Sequence, residues 1–265
     1  MLKISQVDKV FNAGTVNEKI ALQNINLHLA PRDFVTVIGS NGAGKSTLMN
    51  IISGGLIPDQ GTVTIDGVDV TKLGEHQRAK YIGRVFQDPM AGTAPNMTIE
   101  ENLAIAYARG QRRSLSLGVN NRKRKLFQEQ LEILDQGLEN RLKTKVGFLS
   151  GGQRQALSLL MATFTKPKIL LLDEHTAALD PKRARLILEL TKKVVDQHHL
   201  TTLMVTHNME QALTLGNRLL MMHEGRIVLD IAQEQKQRMT VKDLLQAFEE
   251  ARGGEAFAED RYFLA

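Results

Sequence analysis

The sequence contains no cysteine and no tryptophan, and only 5% of its 265 residues are aromatic. Without cysteine, a disulfide framework, a thiolate zinc site and a cysteine nucleophile are all excluded. The scarcity of aromatic rings disfavours a stacking platform for single-stranded nucleic acid. No apolar run approaches the roughly 18 residues of a membrane-spanning helix. The first residues also lack the apolar core of a secretory signal. We therefore expect a cytoplasmic protein, unless a partner holds it elsewhere.

The remaining composition is ordinary for a globular protein. Hydrophobic residues make up 42% and charged residues 24% of the chain, which excludes a disordered or fibrous protein. The length fits one large domain or two small ones. The formal net charge of +5 is compatible with nucleic acid, an anionic membrane surface or phosphorylated ligands as partners. Charge alone does not choose among these three partners.

Short apolar runs alternate with segments of helical periodicity along most of the chain. This alternation predicts a core of parallel strands flanked by helices. Thr98 and Glu101 have the spacing of a capping box, which predicts a helix start there. A loop is expected over 109–121, and a loose tail around Gly253. The predicted strands are 22–29, 34–38, 62–65, 82–86, 169–172 and 201–205, followed by a hairpin of 219–222 with 227–231. The predicted helices are 45–52, 98–108, 122–138, 150–165, 181–197, a short one after 208, and 240–250.

Residues 39–46 match the phosphate-binding pattern G-x-x-x-x-G-K-S, between a predicted strand and a predicted helix. The glycines of this segment, called here the phosphate loop, allow backbone N–H groups to surround a polyphosphate. Lys45 would reach the β- and γ-phosphates, and Ser46 would bind Mg²⁺. A glycine-rich turn with a chance lysine is the alternative, which the flanking strand and helix disfavour.

Two carboxylates follow the apolar segment 168–172 directly. A buried strand would deliver Asp173 and Glu174 to the carboxyl edge of a parallel sheet, where ligands bind in open α/β folds. Asp173 suits the outer shell of Mg²⁺, and Glu174 suits a base that orients an attacking water. Alone, the segment could equally be a strand with a polar end. Beside a phosphate loop, it predicts a catalytic edge.

Residues 149–153, Leu-Ser-Gly-Gly-Gln, precede a predicted helix and form a second candidate anion site, called here the signature segment. With these three motifs in this order, the chain resembles the ATP-binding cassette subunits of membrane transporters, over about residues 2–235. The resemblance implies an α/β fold. A P-loop NTPase core of mainly parallel strands would be joined by an N-terminal antiparallel β region and an inserted helical subdomain. In a single domain, the core would be about 1–87 and 166–235, the helical subdomain about 88–165, and a C-terminal helix and tail 236–265.

The resemblance also implies a role for individual residues. ATP would be bound by Gly39, Ser40, Asn41, Gly42, Ala43, Gly44, Lys45, Ser46 and Thr47. Mg²⁺ would be bound by Ser46, Gln87 and Asp173. The catalytic residues would be Glu174, His207 and Gln87. The γ-phosphate bound by a second copy would be contacted by Ser150, Gly151, Gly152 and Gln153.

Two further residues carry a role by resemblance and have an ordinary structural alternative. Phe11 would stack on adenine, or else be a core residue near a strand end. Asp180 would lie in the loop that crosses to the second copy, and it would look identical as a helix N-cap before Pro181. For Asp180 both interpretations can hold. The other histidines, His175 among them, are expected to be surface or packing residues.

The resemblance implies the partners as well. We expect two copies to close head to tail on two ATPs, at the cytoplasmic face of the cell membrane. They would drive a transmembrane permease subunit, together with an extracytoplasmic solute-binding protein and without nucleic acid. Separate cassette chains of this length resemble bacterial uptake systems, and residues 170–181 resemble an importer group linked with aromatic amino acids. Nothing in the sequence encodes the transported solute.

Two other function classes compete with transport. A soluble ATPase acting on ribosomes or nucleic acid is disfavoured, because such relatives usually carry two cassettes or a long coiled coil. A nucleotide-regulated binding module without catalysis is disfavoured by the presence of Glu174 and His207. The basic run 122–125 is interpreted as a solvated helix start, with attraction to anionic lipid headgroups as the alternative.

Overall fold

The computed structural model describes residues 1–109 and 118–251. The strands are β1 Leu2–Phe11, β2 Lys19–Leu29, β3 Phe34–Gly39, β4 Gln60–Ile65, β5 Val68–Asp69, β6 Ile82–Val85, β7 Ile169–Asp173, β8 Thr201–Val205, β9 Arg218–His223 and β10 Arg226–Ala232. The helices are α1 Lys45–Ser53, α2 Glu75–Arg78, α3 Ile99–Tyr107, α4 Asn121–Glu132, α5 Gly151–Thr163, α6 Pro181–His198, α7 Met209–Thr214, α8 Gln233–Lys236 and α9 Val241–Ala251, with a 3₁₀ turn at Val146–Phe148. In the described ranges, none of these helices has the length and apolar character needed to cross a bilayer.

The chain folds as two compact units. The first unit comprises Met1–Arg78 and Leu200–Ala265, and the second comprises Ala79–His199. Because the chain leaves the first unit after Arg78 and returns at Leu200, the second unit is an insertion in sequence. The predicted boundaries of the helical subdomain, 88–165, stay a prediction.

The first unit contains an antiparallel sheet in the order β2-β1-β4-β5. In β2 the alternate side chains of Ile25, Leu27 and Leu29 are buried, which is the period-two pattern that predicted this strand. A second group of strands in this unit centres on β3, which pairs in parallel with both β8 and β9. All six residues of β3 are buried, as expected for a central parallel strand. The predicted hairpin is confirmed, since β9 and β10 pair antiparallel.

The second unit contains the parallel pair β6–β7 and helices α3 to α6. Helix α5 is the most deeply buried of these helices, with ten of its thirteen residues inaccessible. Tyr107, Phe127 and Phe164 pack edge to face, with ring centroids 5.6 to 6.3 Å apart. This aromatic cluster links α3, α4 and the end of α5.

Most predicted elements are confirmed, with boundaries shifted by up to three residues. The capping box is present: Thr98 accepts a hydrogen bond from the Glu101 backbone N–H, and the Glu101 carboxylate accepts one from the Thr98 backbone. The predicted helix 122–138 is wrong at its end, because α4 stops at Glu132. Asp135 and Gly137 have φ of 52° and 65°, and left-handed residues cannot continue a right-handed helix. The predicted tail around Gly253 and much of the predicted loop 109–121 lie outside the described residues.

The basic run 122–125 opens α4, as predicted for a helix start. The Asn120 side chain caps this helix by accepting a hydrogen bond from the Lys123 backbone N–H. The Arg124 guanidinium donates to both carboxylate oxygens of Glu100, at 2.7 and 3.2 Å. Arg122 and Lys125 are exposed to solvent. The lipid alternative for this run stays a prediction.

Arg78 is fully buried in the first unit, where its side chain donates hydrogen bonds to four backbone carbonyls. Its guanidinium donates to the carbonyl oxygens of Ile51 and Ile52, at 2.6 and 2.9 Å, near the end of α1. It also donates to the carbonyls of Leu73 and Thr71, at 2.8 and 3.0 Å. The helix-ending carbonyls of α1 therefore find their donors on one side chain.

Replacement of Arg78 by methionine is expected to lower the free energy of unfolding by about 3–5 kcal/mol, because several buried carbonyls lose their donor while the aliphatic volume remains. Urea denaturation monitored by circular dichroism measures this change. The Arg78→Lys variant should recover little of the lost stability, because an ammonium group cannot donate to all the carbonyls that the planar guanidinium reaches. Arg238→Met, at an exposed position of the same unit, is the control. Equal stability of the Arg78 and Arg238 variants would contradict this assignment.

Lys236 is a second buried cation of the first unit, with 3% of its surface exposed. Its ammonium donates to the carbonyl oxygens of Leu215 and Gly216, just after α7. Burial lowers the pKa of Lys236 to about 8, from an ordinary value of 10.5. Between these two pH values, the unfolded chain binds more protons at this position than the folded protein does.

Lys236 should therefore make the protein more stable as the pH rises from about 8 towards 10.5, since the cost of burying its charge disappears. Urea denaturation of wild type and Lys236→Met at several pH values isolates this contribution. We expect the difference in free energy of unfolding, wild type minus variant, to increase with pH over this range. If the difference in free energy of unfolding stayed constant or decreased with pH, burial would not lower the pKa of Lys236.

Candidate functional site

The phosphate loop connects β3 to α1 in the first unit, as predicted. Gly39 and Gly44 have φ of 152° and 100°, a region that side chains rarely adopt. A Cβ at Gly39 would lie 2.2 Å from the Met222 carbonyl oxygen, and one at Gly44 would lie 2.5 Å from the Ala21 carbonyl oxygen. Glycine is therefore required at both positions for this backbone path.

Lys45 lies at the start of α1 with 5% of its surface exposed. Its ammonium donates to the carbonyl oxygens of Gly39 and Ser40, at 2.6 and 3.0 Å. The lysine thus folds over its own loop and places a positive charge inside it. Ser46, the next residue, is exposed at the first turn of the helix. A cationic loop at a helix N-terminus is a suitable site for a polyphosphate.

His207 lies at the same edge of the first unit as the phosphate loop. Strands β3 and β8 are parallel neighbours with Val37 opposite Val205, so the residues that follow them leave the sheet on the same side. His207 follows β8 by two residues and is partly exposed. This position suits contact with a phosphate bound by the loop.

Gln87, Asp173 and Glu174 lie together at one edge of the second unit. Strands β6 and β7 are parallel with Val85 opposite Leu172, and the three polar residues follow at the carboxyl ends of these strands. Asp173 and Glu174 are partly exposed, and Gln87 is exposed. Glu174 has a φ of 44°, a left-handed conformation that is strained for this residue type and typical of functional positions.

Our sequence analysis did not predict a cation beside Asp173. The Arg84 guanidinium donates to the Asp173 carboxylate at 2.9 Å, with 12% and 16% of the two side chains exposed. Arg84 lies in the middle of β6, between Gly83 and Val85. An arginine inside a short, otherwise buried strand was the available signal.

His175, the residue after Glu174, is buried, as expected for a packing residue. Its Nε2 lies 3.0 Å from the Thr191 hydroxyl on α6. Since the Thr191 hydroxyl donates its hydrogen to the Ile187 carbonyl at 2.7 Å, the ring nitrogen must be the donor. Burial lowers the pKa of His175 to about 4, so the imidazole is neutral. This bond anchors the residues that follow β7 onto α6.

The signature segment and Asp180 border one cleft of about 440 Å³ in the second unit. Ser150 is the N-cap of α5: its hydroxyl accepts a hydrogen bond from the Gln153 backbone N–H, and the Gln153 side chain accepts one from the Ser150 backbone. Asp180 is the N-cap of α6, accepting from the Arg183 backbone N–H at 3.1 Å. The capping role of Asp180 is therefore confirmed, and its role towards a second copy stays a prediction. Gln136, Gly152, Lys182 and Arg183 also line the cleft.

Phe11 ends β1 and is partly exposed. The Lys9 ammonium lies 5.8 Å from the centroid of its ring. A ring that is accessible at a strand end is compatible with stacking on a base, and the adenine contact stays a prediction.

The predicted metal ligands carry oxygen donors of the kind that Mg²⁺ prefers. This ion prefers oxygen ligands and usually takes one or two protein groups together with phosphate oxygens and water. The hydroxyl of Ser46, the amide oxygen of Gln87 and the carboxylate of Asp173 are donors of this kind. Within residues 1–109 and 118–251, no group of three His, Asp or Glu side chains converges in a way that would hold a metal by itself.

Comparison with known proteins decides the family. The model of the ABC transporter family matches residues 22–177. The chain belongs to this family. It is therefore the ATP-binding subunit of an ABC transporter and an ATP-hydrolysing enzyme, with the phosphate loop as its Walker A motif. Its predicted fold class, a P-loop NTPase α/β core with an N-terminal antiparallel region, is confirmed.

Several relatives cover nearly the whole cassette. The tyrosine transport ATP-binding protein of Clostridioides difficile (strain R20291) is 44% identical over 251 residues, which are 95% of this chain and 100% of the relative. The energy-coupling factor transporter ATP-binding protein EcfA2 of Caldanaerobacter subterraneus subsp. tengcongensis is 35% identical over 231 residues, 86% of this chain and 78% of the relative. The dimeric post-hydrolysis structure of the cassette MJ0796, bound to ADP and Pi, is 31% identical and has a TM-score of 0.76. That comparison covers 88% of this chain and 99% of MJ0796.

Proposed function

We propose that two copies of this cassette close head to tail on two ATPs and so drive a transmembrane permease subunit in solute uptake. The proposed solute is an amino acid, and the proposed location is the cytoplasmic face of the cell membrane. An extracytoplasmic solute-binding protein is the proposed third component. The observation that carries the proposal is the presence in one chain of two glycine-containing helix starts of the kind that suits an anion, the phosphate loop at α1 and the signature segment at α5.

The dimer is supported by the exposure of the signature face. Ser150 is exposed at the start of α5, and 77% of the Phe148 surface is exposed two residues before it. The cleft beside Ser150 is bordered by Lys182 and by Arg183, whose guanidinium lies 3.3 Å from the Asp180 carboxylate. Lys182 can therefore supply positive charge for a phosphate. MJ0796, a structural neighbour of this chain, is a dimer in its ADP- and Pi-bound structure.

The chemistry of hydrolysis follows from the residues of the site. Lys45 and the loop amides bind and orient the triphosphate, and Phe11 stacks on its adenine. Glu174 takes a proton from the attacking water, while His207 donates a hydrogen bond to the γ-phosphate and stabilises its developing charge. Ser46, Gln87 and Asp173 would hold Mg²⁺, which would supply positive charge to the phosphate oxygens.

Closure and opening follow from contacts with the γ-phosphate. In the proposed dimer, Ser150, Gly151, Gly152 and Gln153 of one copy contact the γ-phosphate that the other copy binds. Asp180 lies in the loop that faces the second copy. ATP favours the closed dimer because the closed state adds contacts that the open state lacks. Hydrolysis removes this link, and the two copies separate.

Uptake of an amino acid is supported by the relatives. The most extensive match reported above is a tyrosine transport protein. The methionine import ATP-binding protein MetN of Aliivibrio fischeri is 36% identical over 232 residues, which are 86% of this chain and 64% of the relative. Import as the direction of transport, and an amino acid as the solute, therefore have named precedents among similar chains.

Affinity purification from detergent-solubilised membranes tests the partner assignment. We expect a tagged chain, expressed in its own host, to bring down a polytopic membrane protein in stoichiometric amount. In liposomes containing this complex and internal ATP, labelled tyrosine or methionine should accumulate, and Lys45→Ala should abolish accumulation. Recovery of ribosomes or nucleic acid in place of a membrane subunit would contradict the proposal.

A further inference from the structure

Arg84 is an arginine placed where a short inner strand is otherwise apolar. Its neighbours Ile82, Gly83 and Val85 in β6 are buried, and only 12% of the Arg84 side chain is exposed. Burial of a guanidinium is costly unless a counter-charge and hydrogen-bond acceptors compensate it. The position therefore needs an explanation beyond packing.

Asp173 provides the compensating charge for Arg84. Its carboxylate accepts a hydrogen bond from the Arg84 guanidinium at 2.9 Å, and 16% of its side chain is exposed. Arg84 is opposite Leu171 in the parallel pair β6–β7, so the arginine reaches two residues along its neighbour to the strand end. The carboxylate it contacts is the one proposed to face Mg²⁺.

Phe86 helps to fix the guanidinium in this place. The guanidinium carbon lies 4.7 Å from the centroid of the Phe86 ring, a cation–π distance. The Gln155 side chain on α5 donates to the Phe86 carbonyl at 3.3 Å, which ties this end of β6 to the helix. Arg84 is thus held from two sides, by a carboxylate and by a ring.

We infer that Arg84 is a positioning residue for the metal carboxylate. It compensates and orients Asp173 when no metal is bound, and it weakens the attraction of Asp173 for Mg²⁺ when nucleotide arrives. The inference rests on the proposed function in one respect, the assignment of Asp173 to Mg²⁺. The physical reason is that one carboxylate charge is shared between two cations, so the presence of the first reduces the affinity for the second.

A double-mutant cycle without nucleotide tests the pairing. Arg84→Met, Asp173→Asn and the double variant are melted in EDTA. We expect Arg84→Met to lower Tm by about 5 °C when Asp173 is present, because a half-buried carboxylate loses its partner. In the Asp173→Asn background the same change should lower Tm by less than about 2 °C. An equal loss in both backgrounds would overturn the inference. If Arg84→Met fails to fold, the double variant must fold, and failure of both would also overturn it.

Titration with Mg²⁺ at saturating ATP tests the effect on the metal, with the shift in Tm as the readout. We expect the Mg²⁺ concentration that gives half of the Tm shift to be about threefold to tenfold lower for Arg84→Met than for wild type. For Arg84→Lys, this concentration should stay close to the wild-type value. Arg218→Met is the matched control. It breaks the Arg218–Asp230 ion pair of the first unit, and should lower Tm without changing the Mg²⁺ concentration at half effect.

The two parts of the inference fail in different ways. An unchanged Mg²⁺ dependence in Arg84→Met would overturn the proposed effect of Arg84 on the metal. A wild-type Mg²⁺ dependence in Asp173→Asn would instead show that the metal assignment of the proposed function is wrong. The coupling measured in EDTA does not depend on that assignment.

Discussion

Replacement of Glu174 by glutamine is expected to lower the steady-state ATPase rate by a factor of about 10²–10⁴, the usual contribution of a general base. Glutamine has nearly the same shape as glutamate and can occupy the same place after β7. It cannot accept the proton of the attacking water at neutral pH. ATP affinity should remain close to that of wild type, because the phosphate loop is in a different segment of the chain. Phosphate release measured with the proteins at equal ATP saturation checks this prediction.

The matched control for this experiment is Glu189→Gln. Glu189 is exposed on α6, and its substitution removes the same charge from a position without a proposed role. The ATPase rate of the control should equal that of wild type. If Glu174→Gln kept the full rate, another residue would have to be the base. If the Glu174→Gln variant also bound ATP more weakly, the main role of Glu174 would be in ATP binding.

Replacement of Lys45 by alanine is expected to weaken ATP binding by about 100-fold or more, and to abolish turnover as a consequence. Lys45 supplies the positive charge inside the phosphate loop, and its ammonium also donates to the loop carbonyls of Gly39 and Ser40. Alanine removes both contributions. Binding of a fluorescent ATP analogue, measured by titration, gives the change in Kd.

Lys242→Ala is the control for Lys45→Ala. Lys242 is exposed on α9 in the same unit, so its loss changes the net charge equally without touching the loop. The circular dichroism spectra of both variants should match that of wild type. An unchanged ATP affinity in Lys45→Ala would show that the loop does not bind the triphosphate.

The features that sequence predicts well here are those set by neighbouring residues. The phosphate loop, the capping box at Thr98 and the N-cap at Asp180 each depend on residues three to seven positions apart, and the structure has all three. The positions of several strands also follow from local pattern, since alternation in β2 and continuous burial in β3 are visible as hydrophobic periodicity.

The contacts that sequence does not predict join residues far apart in the chain. Arg84 and Asp173 are 89 positions apart, and Arg78 donates to carbonyls 26 and 27 positions before it. The sequence shows that Arg78 and Arg84 are charged, but it does not show which groups they contact. Those contacts are determined by the tertiary fold. The early end of α4 was missed for a different reason. Leu134 and Leu138 stay buried and keep the helical pattern of apolar residues, although the backbone turns at Asp135.

The sequence predicts which residues form the candidate site, but it predicts only part of their spatial arrangement. Sequence indicates that Gln87, Asp173 and Glu174 follow apolar strands, and the structure adds that the two strands are parallel neighbours. The left-handed backbone of Glu174 and the bond from His175 to Thr191 are consequences of the turn after β7. Neither has a signature in the residue types alone.

Light scattering on the Glu174→Gln protein tests the central proposal, closure of two copies on ATP, most directly. In Mg²⁺ and ATP at high protein concentration, the account predicts a mass of two chains, because ATP binds and is not hydrolysed. In ADP, or after Ser150 is replaced by a bulky residue, the mass should be that of one chain. A single-chain mass in Mg²⁺ and ATP, in a protein shown to bind ATP, would contradict the account.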